Sequence, residues 1–172
     1  MALTIVVVSC FVLSCQSGKM IHSEGIHYAK CGQAMPEKGT EIIGGLPATD
    51  TFYEDEGHRW RALIVEHNHG NVILEEDFYD HETLNRIRIE TPDFRLRSGL
   101  KVGLTIADMG KKTGQWYISG MPRFASYDFY SEEFPRIHFV IPEDGKEREP
   151  DTLGYRFSDF DPGLKIVAIV IF

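Results

Sequence analysis

The strongest constraint on this chain is a series of short runs rich in β-branched and aromatic residues, each bounded by turn formers. "RWRALIVEH" (residues 59–67) and "NVILEEDF" (71–78) flank "HNHG", whose Asn68 and Gly70 supply turn chemistry, so this segment reads as a β-hairpin. "LNRIRIE" (84–90) alternates, with Leu84, Arg86, Arg88 and Glu90 on one face and Asn85, Ile87 and Ile89 on the other, the pattern of a half-buried strand. "QWYISG" (115–120), "FASYDFYS" (124–131) and "RIHFVI" (136–141) add three more strands, and "PEDGKEREPDTLG" (142–154) is a charged, turn-rich loop. "LKIVAIVIF" (164–172) is apolar on both faces, as a covered central strand would be. Helix is scarce. "TIADMG" (105–110) places Thr105 as a cap, Asp108 three residues on and Gly110 at the close, which suits a helix of about one turn. The expected fold is α+β, predominantly antiparallel β, with one or two very short helices.

The first fifteen residues carry no Asp, Glu, Lys or Arg. The run "LTIVVVSCFVLS" falls short of the roughly twenty residues a spanning helix needs. A short apolar run before a small residue is the pattern of a secretory leader. "VLSC" resembles the bacterial lipobox. That resemblance implies a signal peptide over 1–14 and an acylated, palmitate-type N-terminus at Cys15. A tether over 15–26 and a domain over 27–172 follow. "QSGK" after Cys15 lacks an acidic run, which points to the periplasmic face of the outer membrane. A plain secretion signal and a buried apolar N-terminus are the alternatives.

The formal net charge is −8, so nucleic acid is not an expected partner. Of three cysteines, Cys10 leaves with the leader and Cys15 takes lipid, so Cys31 has no disulfide partner. It reads as a reactive thiol or as a small buried apolar residue. There is no Gly-x-Ser-x-Gly, P-loop, dinucleotide fingerprint, His-Glu-x-x-His or Cys-x-x-Cys.

"KCGQAM" (30–35) aligns with "KVGLTI" (101–106), so the domain divides into two related halves, 27–80 and 84–172, with Cys31 standing where Val102 stands. The stretch "RIRIETPDFRLRSGLKVGLTIADMGK" (86–111), through Ile87, Ile89, Pro92, Phe94, Gly99, Leu100, Val102, Gly103, Thr105 and Met109, resembles small Gram-negative cell-envelope lipoproteins of unknown function. "CGQAMPEKGTEIIGGLPATDTFY" upstream looks like the matching stretch of those proteins. Their strand, turn and short-helix modules are loosely similar to β-lactamase-inhibitor-like and outer-membrane-assembly lipoproteins. The resemblance implies structural roles for Gly99, Gly103 and Thr105 and no catalytic residue. It also implies an open sheet face that binds other proteins.

Three sets of side chains could carry a function. His67 and His69, two apart on a strand, would face the same way and suit zinc or copper, with Asp80 or Glu66 as a further ligand. His58 and His81 lie nearby in sequence. The carboxylates of "EED" (75–77) and "DFDPG" (159–163) read as ordinary turns or strand ends rather than a calcium site. The aromatics of 124–134, with Tyr127, Phe129 and Tyr130 foremost, suit a partner or sugar surface. Tyr127 and Phe129 share one strand face while Phe124 and Tyr130 share the other, so one face is expected in the core. The sequence names no reaction. The leading expectation is a membrane-anchored binding or scaffolding module with an envelope protein partner and no cofactor, over a metal-binding or carbohydrate-binding protein.

Overall fold

The computed structural model describes residues 19–55, 57–112, 115–121, 125–146 and 155–172. Its centre is one antiparallel sheet of nine strands. A small hairpin comes first, β1 (Gly25–Ile26) with β2 (Ala29–Lys30). Then follow β3 (Ile42–Ile43), β4 (Leu46–Asp55), β5 (His58–His67), β6 (Gly70–Glu76) and β7 (Leu84–Ile89) as a meander. After a long connection containing α1 (Ile106–Gly110), a second meander runs through β8 (Tyr117–Met121), β9 (Ser126–Ser131), β10 (Phe134–Pro142) and β11 (Ala168–Ile171). The two join where β11 pairs with β7, giving the order β3-β4-β5-β6-β7-β11-β10-β9-β8. The fold is α+β, predominantly antiparallel β, as the strand runs require.

Most strand limits lie within two residues of the sequence reading. The expected run 164–172 is a strand only over Ala168–Ile171, and it is central and buried on both faces. The long strand β4 was not expected. Its sequence "LPATDTFYED" contains a proline and little β-branched density. Pro47 is tolerated because its neighbour β3 is only two residues long, so the sheet asks little of that edge. The simple alternation read for 84–90 also fails at one point. The pairing steps from Glu75↔Arg86 to Glu76↔Leu84, a β-bulge at Asn85. The bulge returns Leu84 to the face of Ile87 and Ile89, and all three are fully buried.

One face of the sheet carries the main core. Leu63, Val65, Val72, Leu74, Ile87, Ile89, Phe129, Phe139, Ile169 and Ile171 meet Ile26 and Ala29 of the small hairpin, Ile106 and Met109 of α1, and Phe160 from the last connection. Each such side chain contributes about 1.5–3 kcal/mol on burial. Ile21 is part of this core, and Met20 bridges Arg95, so the expected tether through residue 26 is too long: the domain begins by Lys19. α1 has the expected capping box, with the Thr105 hydroxyl accepting from the Asp108 N–H and the Asp108 carboxylate accepting from the Thr105 N–H.

The aligned segments around Lys30 and Lys101 occupy matching positions. Gln33 N–H donates to Lys30 O, and Leu104 N–H to Lys101 O, closing a β-turn in each case. Gly32 and Gly103 take the left-handed conformation in these turns, φ 84° and 89°. Gly32 N–H then donates to Leu84 O, and Gly103 N–H to Ile166 O. The return bonds Leu84 N–H to Gln33 O and Ile166 N–H to Leu104 O match as well. Next along, Ala34 bridges Thr83 as Thr105 bridges Lys165. This match sets β7 against β11, so the division between halves falls after Ile89 and not between residues 80 and 84. At the junction, Ile87 pairs with Ile171 and Ile89 with Ile169, around Arg88 opposite Val170. Exchanging the halves maps each of these pairs onto the other, which is a local two-fold.

Candidate functional site

The histidine pair sits at the tip of the β5–β6 hairpin, and the tip parts the two rings. Asn68 and His69 form the two-residue turn after His67, so His69 is off the strand and 66% exposed while His67 is 7% exposed. Gly70 is required behind this turn, because a Cβ there would lie 2.5 Å from Glu90 O. Both rings turn towards one carboxylate. His69 Nδ1 donates to Asp93 at 3.0 Å, and His67 Nδ1 lies 4.0 Å from the other Asp93 oxygen. His67 Nε2 shares a 3.0 Å hydrogen bond with the Tyr28 hydroxyl, and Lys19 Nζ stands 3.5 Å from Asp93. Of these groups, Lys19, His67 and Asp93 border an open cleft of about 270 Å³ with His27, Leu46 and Phe94.

Burial dominates the electrostatics here. It lowers the His67 pKa, with the nearby Asp93 charge acting against it, and raises that of Tyr28. Burial also pushes Asp93 upward, but the His69 hydrogen bond and the Lys19 charge together leave its carboxyl below the ordinary value. A neutral His67 and an ionised Asp93 form a polar junction between hairpin, turn and N-terminal segment. Asp80, offered as a ligand, instead accepts from the Glu82 and Thr83 N–H groups in its own loop. Among the described residues no group of three or more His, Cys, Asp or Glu side chains is arranged to hold a metal ion. Asp93 and Tyr28, which complete this junction, carried no motif by which sequence reasoning could find them.

The aromatic segment 124–134 divides between the faces of β9. Tyr127 (6% exposed) and Phe129 (0%) lie in the main core, where both make edge contacts with Phe160, so neither offers a binding surface. Tyr130 is on the outer face. It stacks on Tyr117 of β8 at 5.5 Å and on His138 of β10 at 5.0 Å, and His138 meets Phe172 at 4.8 Å. Both faces of the Tyr130 ring are therefore occupied, and a sugar ring has no free platform there. Asp128 holds His138 Nδ1 at 3.2 Å, and Glu132 accepts from the Tyr117 hydroxyl. Phe124 lies outside the described residues.

Beside the ring ladder the outer face also carries an ordered charged network. Glu75, 3% exposed, accepts from Trp60 Nε1 at 2.9 Å and from Arg86, and Arg88 donates to Glu90. The buried apolar cluster on this side, Val140, Ala168 and Val170 with Phe172, comes from β10, β11 and the terminal residue. Among the described residues, none of the small hairpin, α1 or the connections joins it. Cys31 occupies a turn rather than a strand, packs against the main core and directs its thiol to Ile171 O at 3.5 Å. Burial raises its pKa above the ordinary thiol value, which agrees with the inert reading. No described helix is long and apolar enough to cross a membrane. Cys15 and the leader lie outside the described residues.

These features define a β-rich α+β protein of one twice-used strand meander. No family model matches the chain, and no curated protein matches it. Among solved structures, it is similar to the crystal structure of the uncharacterized protein YfeY from Escherichia coli, with a TM-score of 0.54 and 14% identity over 73% of this chain and 81% of that one. At that identity the likeness is one of fold.

Proposed function

We propose that this chain is a cell-envelope lipoprotein, anchored through acylated Cys15, that binds a partner protein on the outer face of its sheet. The observation that carries this reading is the composition of that face. A ladder of rings, Tyr117, Tyr130, His138 and Phe172, crosses strands β8, β9 and β10 to the residue that follows β11, beside the Trp60–Glu75–Arg86 network. Tyrosine, tryptophan and arginine are the residue types that dominate protein-binding hot spots. The ring-to-ring and ion-pair contacts fix these side chains before any partner arrives, which lowers the entropic cost of association. The lipobox-like "VLSC" supports the anchor.

The test is site-specific crosslinking in the host, using the full-length protein. A photoreactive phenylalanine analogue replaces Tyr117 on the outer face or, as a control, Ile42, which is 60% exposed on the opposite sheet edge. One recurrent envelope partner captured from position 117 and not from 42, and lost in Cys15→Ala, is expected. Equal capture from both positions overturns the face. Capture that survives Cys15→Ala overturns the dependence on the anchor.

A further inference from the structure

A second open cleft, also of about 270 Å³, lies on the core side of the sheet at the far end of the β4–β5 hairpin. It is lined by Lys38, Phe52, Arg59, Glu76 and His81. In a chain of net charge −8, three cationic or protonatable groups converging on one concavity run against the average charge of the molecule. From these residues we infer a site for a small organic carboxylate with an apolar or aromatic body.

The arrangement is built from beneath. Arg61, 3% exposed, is held by the Asp50 carboxylate in a two-bond pair, donating from Nε at 2.8 Å and from Nη2 at 2.9 Å. It also donates to Pro36 O and Glu37 O, which pins the loop that carries Lys38 at the cleft rim. Across the cleft, the buried Glu76 carboxylate accepts from His81 Nδ1 at 2.8 Å. His81 holds a left-handed backbone, φ 56°, which a non-glycine residue adopts only at some cost. The Glu76 contact and the bond from His81 N–H to Asp77 O at 3.0 Å keep it there. Two buried anchors, Arg61 and Glu76, thus hold the segments that bring Lys38 and His81 to the cleft.

Between them lies the recognition surface. The Arg59 guanidinium sits 4.3 Å over the Phe52 ring, and Phe52 is 48% exposed. Stacking occupies one face of the guanidinium and leaves its in-plane N–H groups to donate, the geometry that grips a carboxylate with two bonds. Among the described residues, neither Arg59 nor Lys38 has a carboxylate within ion-pair distance. Glu76 is the one anion of the lining, and its charge is already set against His81. Phe52 then offers ring area to the body of the ligand. The size admits a small molecule or the end of a longer one.

Benzoate and inorganic phosphate are the probes, titrated into the full-length protein while the His81 imidazole is followed by NMR and heat by calorimetry. Saturable benzoate binding that shifts His81 is expected. It should weaken roughly ten- to a hundredfold in Arg59→Gln, the loss of a charge-assisted pair. Lys38→Gln gives a smaller loss. Both residues are exposed, so neither change threatens folding. Phosphate binding without benzoate binding would overturn the carboxylate assignment in favour of an inorganic-type anion. No saturable shift with either probe, or equal affinity in Arg59→Gln, would overturn the site. The outcome is independent of the outer-face crosslinking, because these residues lie on the other side of the sheet.

Discussion

The two halves of this molecule use one backbone frame and fill it differently. Both contain a Lys-x-Gly turn, the same bonds to the chain at the entry to the last strand, and an antiparallel meander, of five strands in the first half and four in the second. Beyond the turn they diverge. The second half caps a helix with Thr105 and Asp108, whereas Ala34 and Glu37 hold the matching places in the first. Alanine has no side-chain acceptor, so nothing there satisfies the free N–H groups that a helix start exposes. The segment 34–37 instead forms no helix, turns at Lys38 and Gly39, and gives its Pro36 and Glu37 carbonyls to Arg61. The outer faces diverge as well: Arg86 and Arg88 match Ala168 and Val170, so one half presents ion pairs and the other a ring ladder. A shared frame leaves the cap residue and the outward strand positions free to differ.

Several substitutions would break or sharpen this comparison. The largest effect is expected at the shared core. Phe129→Ala should cost about 3–5 kcal/mol in urea unfolding. Trp60 reports on the first half and Trp116 on the second, so fluorescence of the Trp60→Phe and Trp116→Phe variants reads the halves separately. Coincident transitions are expected, because β7 and β11 share one core. Separated midpoints would mean that the halves unfold independently. Next is the cap, where Thr105→Ala should cost about 1 kcal/mol, with a matched loss of helical signal. An unchanged midpoint would show that packing of Ile106 and Met109, not the cap, holds α1.

How far the sequence exposed these features depends on range. The hairpin at 67–70, the capped turn of helix and the two-face division of Tyr127, Phe129 and Tyr130 rest on neighbours within a few residues, and each is readable directly. The bulge at Asn85 is set by the partner strand, and strand β4 by an edge requirement, so neither leaves a local period. The His67 and His69 pair was visible as a motif. Its carboxylate, Asp93, comes from a distant loop, and the turn that parts the rings overrides simple strand alternation. The Lys38–Arg59–His81 cleft had no sequence signal, because its parts come from three separate segments.

A gentler effect is expected with pH. Burial favours neutral His67 in the folded state, so its folded pKa lies below the ordinary 6.5. The unfolded chain then binds more protons between the two values, and stability rises with pH across that window. Its contribution is complete above about pH 6.5 and is lost as pH falls through the folded value. His67→Asn should flatten that part of a stability profile, and a step that persists unchanged would assign it to another group. The smallest change is expected at Cys31→Val, which places the Val102 residue type in the matching turn. A shift under about 1 kcal/mol is expected, and a larger loss would show that the thiol contact with Ile171 matters more than the match between halves.

The β7–β11 junction has a kinetic consequence. Nearly every other strand pair joins neighbours in the chain, but this one brings together segments separated by almost half of the sequence. The ends of that long connection must meet before their contacts can repay the lost chain freedom, so local hairpins can form early while the sheet remains divided. Until the junction closes, both β7 and β11 are bare, apolar strand borders capable of pairing with another copy of the chain. The seam that unites the finished molecule is therefore the step at which its folding competes with aggregation.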